Sequence, residues 1–109
     1  MRLIQATEVL LASFERQPGI DALAFASLPA YREFVEAAEQ VGFTGTDVRM
    51  DSEFADRSPE WVASADYEQL RHWVHTLIRA DRWNSDYPNA VWMACRTGSM
   101  GRLVERLSG

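Results

Sequence analysis

The residues best equipped for chemistry in this chain lie between Arg71 and Trp83. Arg71, His75, Arg79 and Arg82 are spaced by four, four and three residues, which lines them along one ridge of a helix. Guanidinium groups on such a ridge can take a phosphate or a carboxylate in bidentate geometry. His75 is the proton carrier nearest to them, because imidazole changes charge close to neutral pH. The competing reading is a solvated helix face. Asp81 stands among these cations. From Leu70 onward Leu70, Trp73, Val74, Leu77 and Ile78 recur at helical spacing, and Asp81, three residues past Ile78, continues their stripe. A carboxylate in an apolar seam is costly without a partner. The expected partner is an arginine, and Arg102 and Arg106 near the chain end are the natural candidates for a structural clasp. A carboxylate that orients a ligand is the alternative.

Other familiar chemistries lack their residues. His72 and His75 are three apart, a spacing that can hold a metal ion, but no third ligand has a clear place and no His-Glu-x-x-His pattern occurs, so no metal site is expected. Cys95 falls on an apolar helical face and reads as an inert thiol. Gly98-Ser99-Met100-Gly101 is one residue short of the Gly-x-Ser-x-Gly elbow. The carboxylates Asp47, Asp51, Glu53 and Asp56 miss the glycine and terminal glutamate of a calcium loop. All eleven basic residues are arginine, which excludes a lysine-bearing phosphate loop, Schiff-base chemistry and a lysine base. No cofactor is implied. Four tryptophans and three tyrosines could stack on bases, but Trp73 sits on a core stripe and small helical domains use large aromatics to fill volume.

Charge and cysteine use narrow the setting. The net charge is −5, a poor start for binding nucleic acid, although the imbalance is local: up to residue 66 five arginines face twelve acids, and beyond it six face four. One cysteine allows no internal disulfide, and neither a basic-then-apolar leader nor a run of about 18 apolar residues is present. The expectation is a cytoplasmic protein with no membrane partner.

The elements that must position these residues read as helices. A first helix is predicted from Arg2 to Arg16, stopped by Gln17-Pro18-Gly19. Residues 20 to 26 are apolar and leave helix and extended chain equally open. Ser27 is the expected N-cap of a helix with Pro29 in its first turn and a stripe of Tyr31, Phe34, Val35, Ala38 and Val41, ending at Gly42 with Phe43 as the closing apolar contact. Residues 44 to 57 read as a loop. Ser58-Pro59-Glu60-Trp61 opens a short helix to Ala63 or Ser64, and Asp66 with Gln69 forms a capping box for a long helix to about Trp83. After the break at Asn84-Ser85-Asp86, Pro88 suits the first turn of a helix that presents Val91, Ala94 and Cys95. Gly98 ends that helix and Ser99 is expected to cap the last one, whose stripe is Met100, Leu103, Val104 and Leu107. The expected fold is all-α, a single domain over residues 1 to 109 built as a bundle of about five helices.

The order Tyr31…Phe34, Gly42-Phe43, Ala65-Asp66, Leu77-Ile78-Arg79-Ala80-Asp81-Arg82-Trp83, Thr97-Gly98 and Leu103-Val104-Glu105-Arg106-Leu107 resembles a family of small bacterial and archaeal proteins known as domain-of-unknown-function family 6508. Arg79, Asp81, Arg82, Trp83, Gly98, Arg106 and Leu107 occupy the places of its most recognisable run, over about the C-terminal two-thirds of the chain. This chain departs from the family in having Trp83 in place of phenylalanine and Asn84-Ser85-Asp86 in place of an early glycine. The resemblance implies a compact helical domain and carries no activity, substrate or cofactor. The function expected is an interaction or regulatory module, with another protein or a second copy of the chain as partner. The alternatives are a small anionic-ligand site or enzyme using Arg79, Arg82, Asp81 and His75, and nucleic-acid binding through the basic ridge.

Overall fold

Short polar side chains and prolines set most of the helix starts, and left-handed glycines set two of the stops. The computed structural model describes residues 1–45 and 57–109, which form seven helices and no strand. These are α1 (Arg2–Arg16), α2 (Ala22–Ala26), α3 (Pro29–Gln40), α4 (Pro59–Ser64), α5 (Tyr67–Trp83), α6 (Ala90–Thr97) and α7 (Ser99–Ser108). The all-α class holds, with seven helices rather than about five. Two of them, α2 and α4, have five and six residues, too short for an apolar period to register, and such helices persist by docking rather than by propensity. The segment left open at 20 to 26 becomes helical because the Asp21 carboxylate accepts the Ala24 N–H at 2.8 Å and Phe25 is fully buried. Most of the expected loop at 44 to 57, including Asp47, Asp51, Glu53 and Asp56, lies outside the described residues.

Three termini differ in detail from expectation. Leu28, not Ser27, is the N-cap of α3, because Pro29 already supplies the N1 position and the Ser27 hydroxyl donates back to the Leu23 carbonyl at 3.1 Å. Pro88 precedes α6 instead of sitting in its first turn, and the N-cap Asn89 makes no side-chain cap bond. Gly98 at φ +91° both closes α6 and opens α7, so Ser99 is the first residue of α7; it is buried, and its hydroxyl donates to the Arg57 carbonyl at 2.8 Å. The end of α3 follows expectation. Gly42 at φ +80° donates to Glu39 at 3.2 Å, Phe43 donates to Ala38 at 2.8 Å, and the Phe43 ring is fully buried. The capping box of α5 closes in both directions at 2.8 Å.

One core joins the helices. Leu3 and Leu10 of α1, Phe34 of α3, Trp73 and Leu77 of α5 and Leu103 of α7 are all solvent-free within it. Trp61 of α4 meets Trp73 edge-on at 6.5 Å, so these two indoles fill volume as expected. Helix α4 packs on α7, α1 on α3 and α7, and α6 on both α5 and α7. Between α3 and α5 the link runs through side chains, and this spacing leaves room for a cleft. Among the described residues no helix is long and apolar enough to cross a membrane.

Candidate functional site

Asp81 lies in the last turn of α5 and is 5% exposed, so the stripe placed it correctly and its carboxylate must be satisfied from within the fold. Its partners are not arginines. One oxygen, Oδ2, accepts the Tyr31 hydroxyl at 2.5 Å and the Val91 N–H at 3.4 Å, and Oδ1 accepts the Ala90 N–H at 2.7 Å. The predicted clasp is therefore corrected. Arg106 of α7 donates instead to the Ala65 carbonyl at 2.9 Å, and Arg102 pairs with Glu105 within its own helix at 2.9 Å. The packing of α7 on α4 carries Arg106 to the carbonyls that end α4, where a cation is favoured.

What took the arginine's place is a helix start. The first N–H groups of any helix lack internal acceptors and carry the positive end of the macrodipole. Because Asn89 provides no side-chain cap, Asp81 caps α6 from the preceding helix. Burial raises the Asp81 carboxyl above its ordinary range, opposed by the bonds from Tyr31, Ala90 and Val91. Burial likewise pushes the Tyr31 phenol upward, and the adjacent Asp81 charge and the bond to it push it further. Tyr31 is thus held as a donor and Asp81 as an acceptor, an arrangement suited to structure.

This pair forms part of the wall of a cleft of about 330 Å³ between α3 and α5. Tyr31, Arg32 and Val35 contribute from α3; Ile78, Asp81 and Arg82 contribute from α5. Ala26 of α2 and Ser85 and Pro88 of the α5 to α6 link complete it. Arg82 reaches across to Glu39 at 2.9 Å. Arg32 is exposed, and its guanidinium makes no ion pair or hydrogen bond with any described residue.

Of the four residues expected to hold a ligand, Asp81 and Arg82 line this cleft and Arg79 and His75 do not. Arg79 stacks on the Trp83 ring, 5.2 Å from its centroid. His75 is 5% exposed, with Nδ1 2.9 Å from the Thr44 hydroxyl, away from the cleft walls and unsuited to carry protons to them. Arg71 donates to the Gly42 carbonyl at 3.0 Å and pairs with Glu68 at 2.9 Å. The expected basic ridge is therefore interrupted by a buried imidazole, and its arginines are committed to separate partners. His72 faces Glu68 at 3.7 Å, and no group of three metal-ligating side chains occurs among the described residues. Burial pushes the Cys95 thiol up to about 12.

Sequence reasoning missed Tyr31 and Arg32 as cleft residues. Tyr31 was readable in part, since a tyrosine on a buried stripe needs an acceptor for its hydroxyl and Asp81 was the unsatisfied carboxylate. Nothing in the sequence marks Arg32. No family model, curated protein or solved structure matches the chain.

Proposed function

We propose that the protein is a binding module, regulatory in role and without catalytic machinery of its own, whose recognition site is the cleft between α3 and α5. The observation that carries this reading is the division of labour inside the cleft. Its reactive pair, Tyr31 and Asp81, is spent on holding α3 and α6 to α5, while Arg32 is free at the surface of the same cavity. A general base would need an acceptor oxygen open to a ligand, and both Asp81 oxygens are already engaged. The remaining walls, from Ala26, Val35, Ile78 and Pro88, are apolar and suited to enclosing a ligand body. A single cysteine, with no disulfide to form, supports a cytoplasmic place of work.

A melting-temperature panel tests this reading. Carboxylates, phosphate, sulfate and nucleotides are added to the wild-type chain and to Val35→Trp, which fills the cleft from α3. A ligand at ten times its Kd stabilises by about 1.4 kcal/mol, which raises the melting temperature of a domain this size by roughly 4 to 8 °C. The account expects such a rise for the wild type and its loss in the filled variant. Turnover of any substrate by the purified chain, or stabilisation that survives the filling, contradicts it.

A second reading has its own observation. Trp83 is 63% exposed and Tyr87 48% exposed at the α5 to α6 link, with Arg79 over the indole, a composition typical of protein-binding surfaces. A partner protein or second copy seated there predicts an assembly, seen by sedimentation, that Trp83→Ala disperses; a monomer at every concentration rules out the second copy.

A further inference from the structure

We infer that the ligand of this cleft is a small monocarboxylate with a compact apolar body; this rests on the cleft being the recognition site. Size sets the first bound. About 330 Å³ is at the lower end of ligand cavities, which run from roughly 300 to 1,000 Å³. A dinucleotide or a folded peptide does not fit such a space, whereas a single ring or a branched chain does. Val35 and Ile78 face it from opposite helices and offer no hydrogen-bonding group to a ligand body.

Charge sets the second bound. Arg82 is balanced by Glu39 at 2.9 Å, and the Asp81 carboxylate is met by three donors. Arg32 is left as the one cleft cation with no partner among the described residues. A guanidinium that no carboxylate pairs with can take one anionic group, and its planar fork fits the two oxygens of a carboxylate. A phosphate monoester brings nearly two charges and calls for a second free cation that the cleft walls do not provide.

Isothermal titration of the full chain with benzoate, its neutral isostere benzamide, and phenyl phosphate tests the assignment. Benzoate is expected to bind at least about tenfold more tightly than benzamide and more tightly than phenyl phosphate. Arg32→Gln is expected to erase the preference over benzamide, and Arg32→Lys, which keeps the charge and loses the fork, to retain part of it. Both variants should fold, since Arg32 is exposed and unpartnered, and far-UV circular dichroism checks this. Equal affinity for benzoate and benzamide, or preference for phenyl phosphate, overturns the monocarboxylate assignment while leaving the cleft as a binding site. Benzoate binding that is unchanged in Val35→Trp places the ligand elsewhere and overturns both. Heat from none of the three overturns the assignment alone, and the wider melting panel then decides the fate of the cleft.

Discussion

Replacing Asp81 by alanine removes the acceptor on which both α3 and α6 are hung. Two donors lose short bonds, the Tyr31 hydroxyl at 2.5 Å and the Ala90 N–H at 2.7 Å; the 3.4 Å contact from Val91 adds little. A buried donor left without an acceptor costs about 1–3 kcal/mol. Water entering from the cleft recovers part of this, so the expected loss for Asp81→Ala is about 2–4 kcal/mol. Asp81→Asn is a different perturbation. Its amide oxygen can still accept from Ala90, its amide N–H can donate to the Tyr31 oxygen, and no charge remains to be desolvated, so about 1 kcal/mol or less is expected. Urea unfolding followed by tryptophan fluorescence and by circular dichroism gives both values, and agreement of the two probes licenses the two-state treatment. Tyr31→Phe combined with Asp81→Ala should be non-additive by about 1 kcal/mol, whereas Arg106→Ala combined with Asp81→Ala should be additive within about 0.5 kcal/mol, because Arg106 serves Ala65. The reasoning is refuted if Asp81→Ala is as stable as the wild type, or if Arg106 and Asp81 prove coupled.

Three further outcomes follow from the same geometry. The raised Asp81 carboxyl means that the folded state holds its proton more tightly than the unfolded chain; stability from this group is present below the ordinary carboxylate range and is lost as pH rises through the raised value. Wild-type stability minus that of Asp81→Asn should therefore fall as pH rises from the ordinary carboxylate range through the raised value, and a rise over that course contradicts the assignment. Two glycines near the chain end should respond oppositely to alanine: Gly98→Ala, at φ +91°, is expected to lose about 1 kcal/mol or more, while Gly101→Ala, inside α7 with nothing within 4 Å of its new Cβ, should gain about 0.5–1 kcal/mol, both read from urea midpoints. Cys95, 7% exposed and with its thiol pushed up to about 12, should resist iodoacetamide at mildly alkaline pH until the protein is unfolded, and equal labelling rates in the native and denatured states would count against this.

How far the sequence discloses this architecture depends on the kind of signal. Helices α1 and α5 are legible because they are long, periodic and, in α5, opened by a capping box; the end of α3 is legible because a glycine followed by an apolar residue has few other uses. Helix α2 was not, since five residues contain barely more than one turn. The burial of Asp81 was readable from its place in the stripe, but the identity of its partner was not. Counting charges favours an arginine, and the acceptor need of a helix start three residues past a break is invisible until α6 is known to begin at Ala90 without a side-chain cap. The ridge through Arg71, His75, Arg79 and Arg82 shows the opposite failure. Spacing along one helix reports which residues share a side and says nothing of what packs against it, and His75 is covered while Arg82 is not. The cleft arises from how α3 stands off α5, a tertiary distance that no local pattern encodes.

The most direct measurement is an isotope-filtered NMR experiment on the methyl-labelled chain saturated with benzoate, reading nuclear Overhauser contacts from the ligand ring. Contacts to the methyl groups of Val35 and Ile78, which face the cleft from its two sides, are the predicted result. Contacts confined to methyl groups outside the cleft, such as those of the exposed Val9 or Leu23, contradict the account.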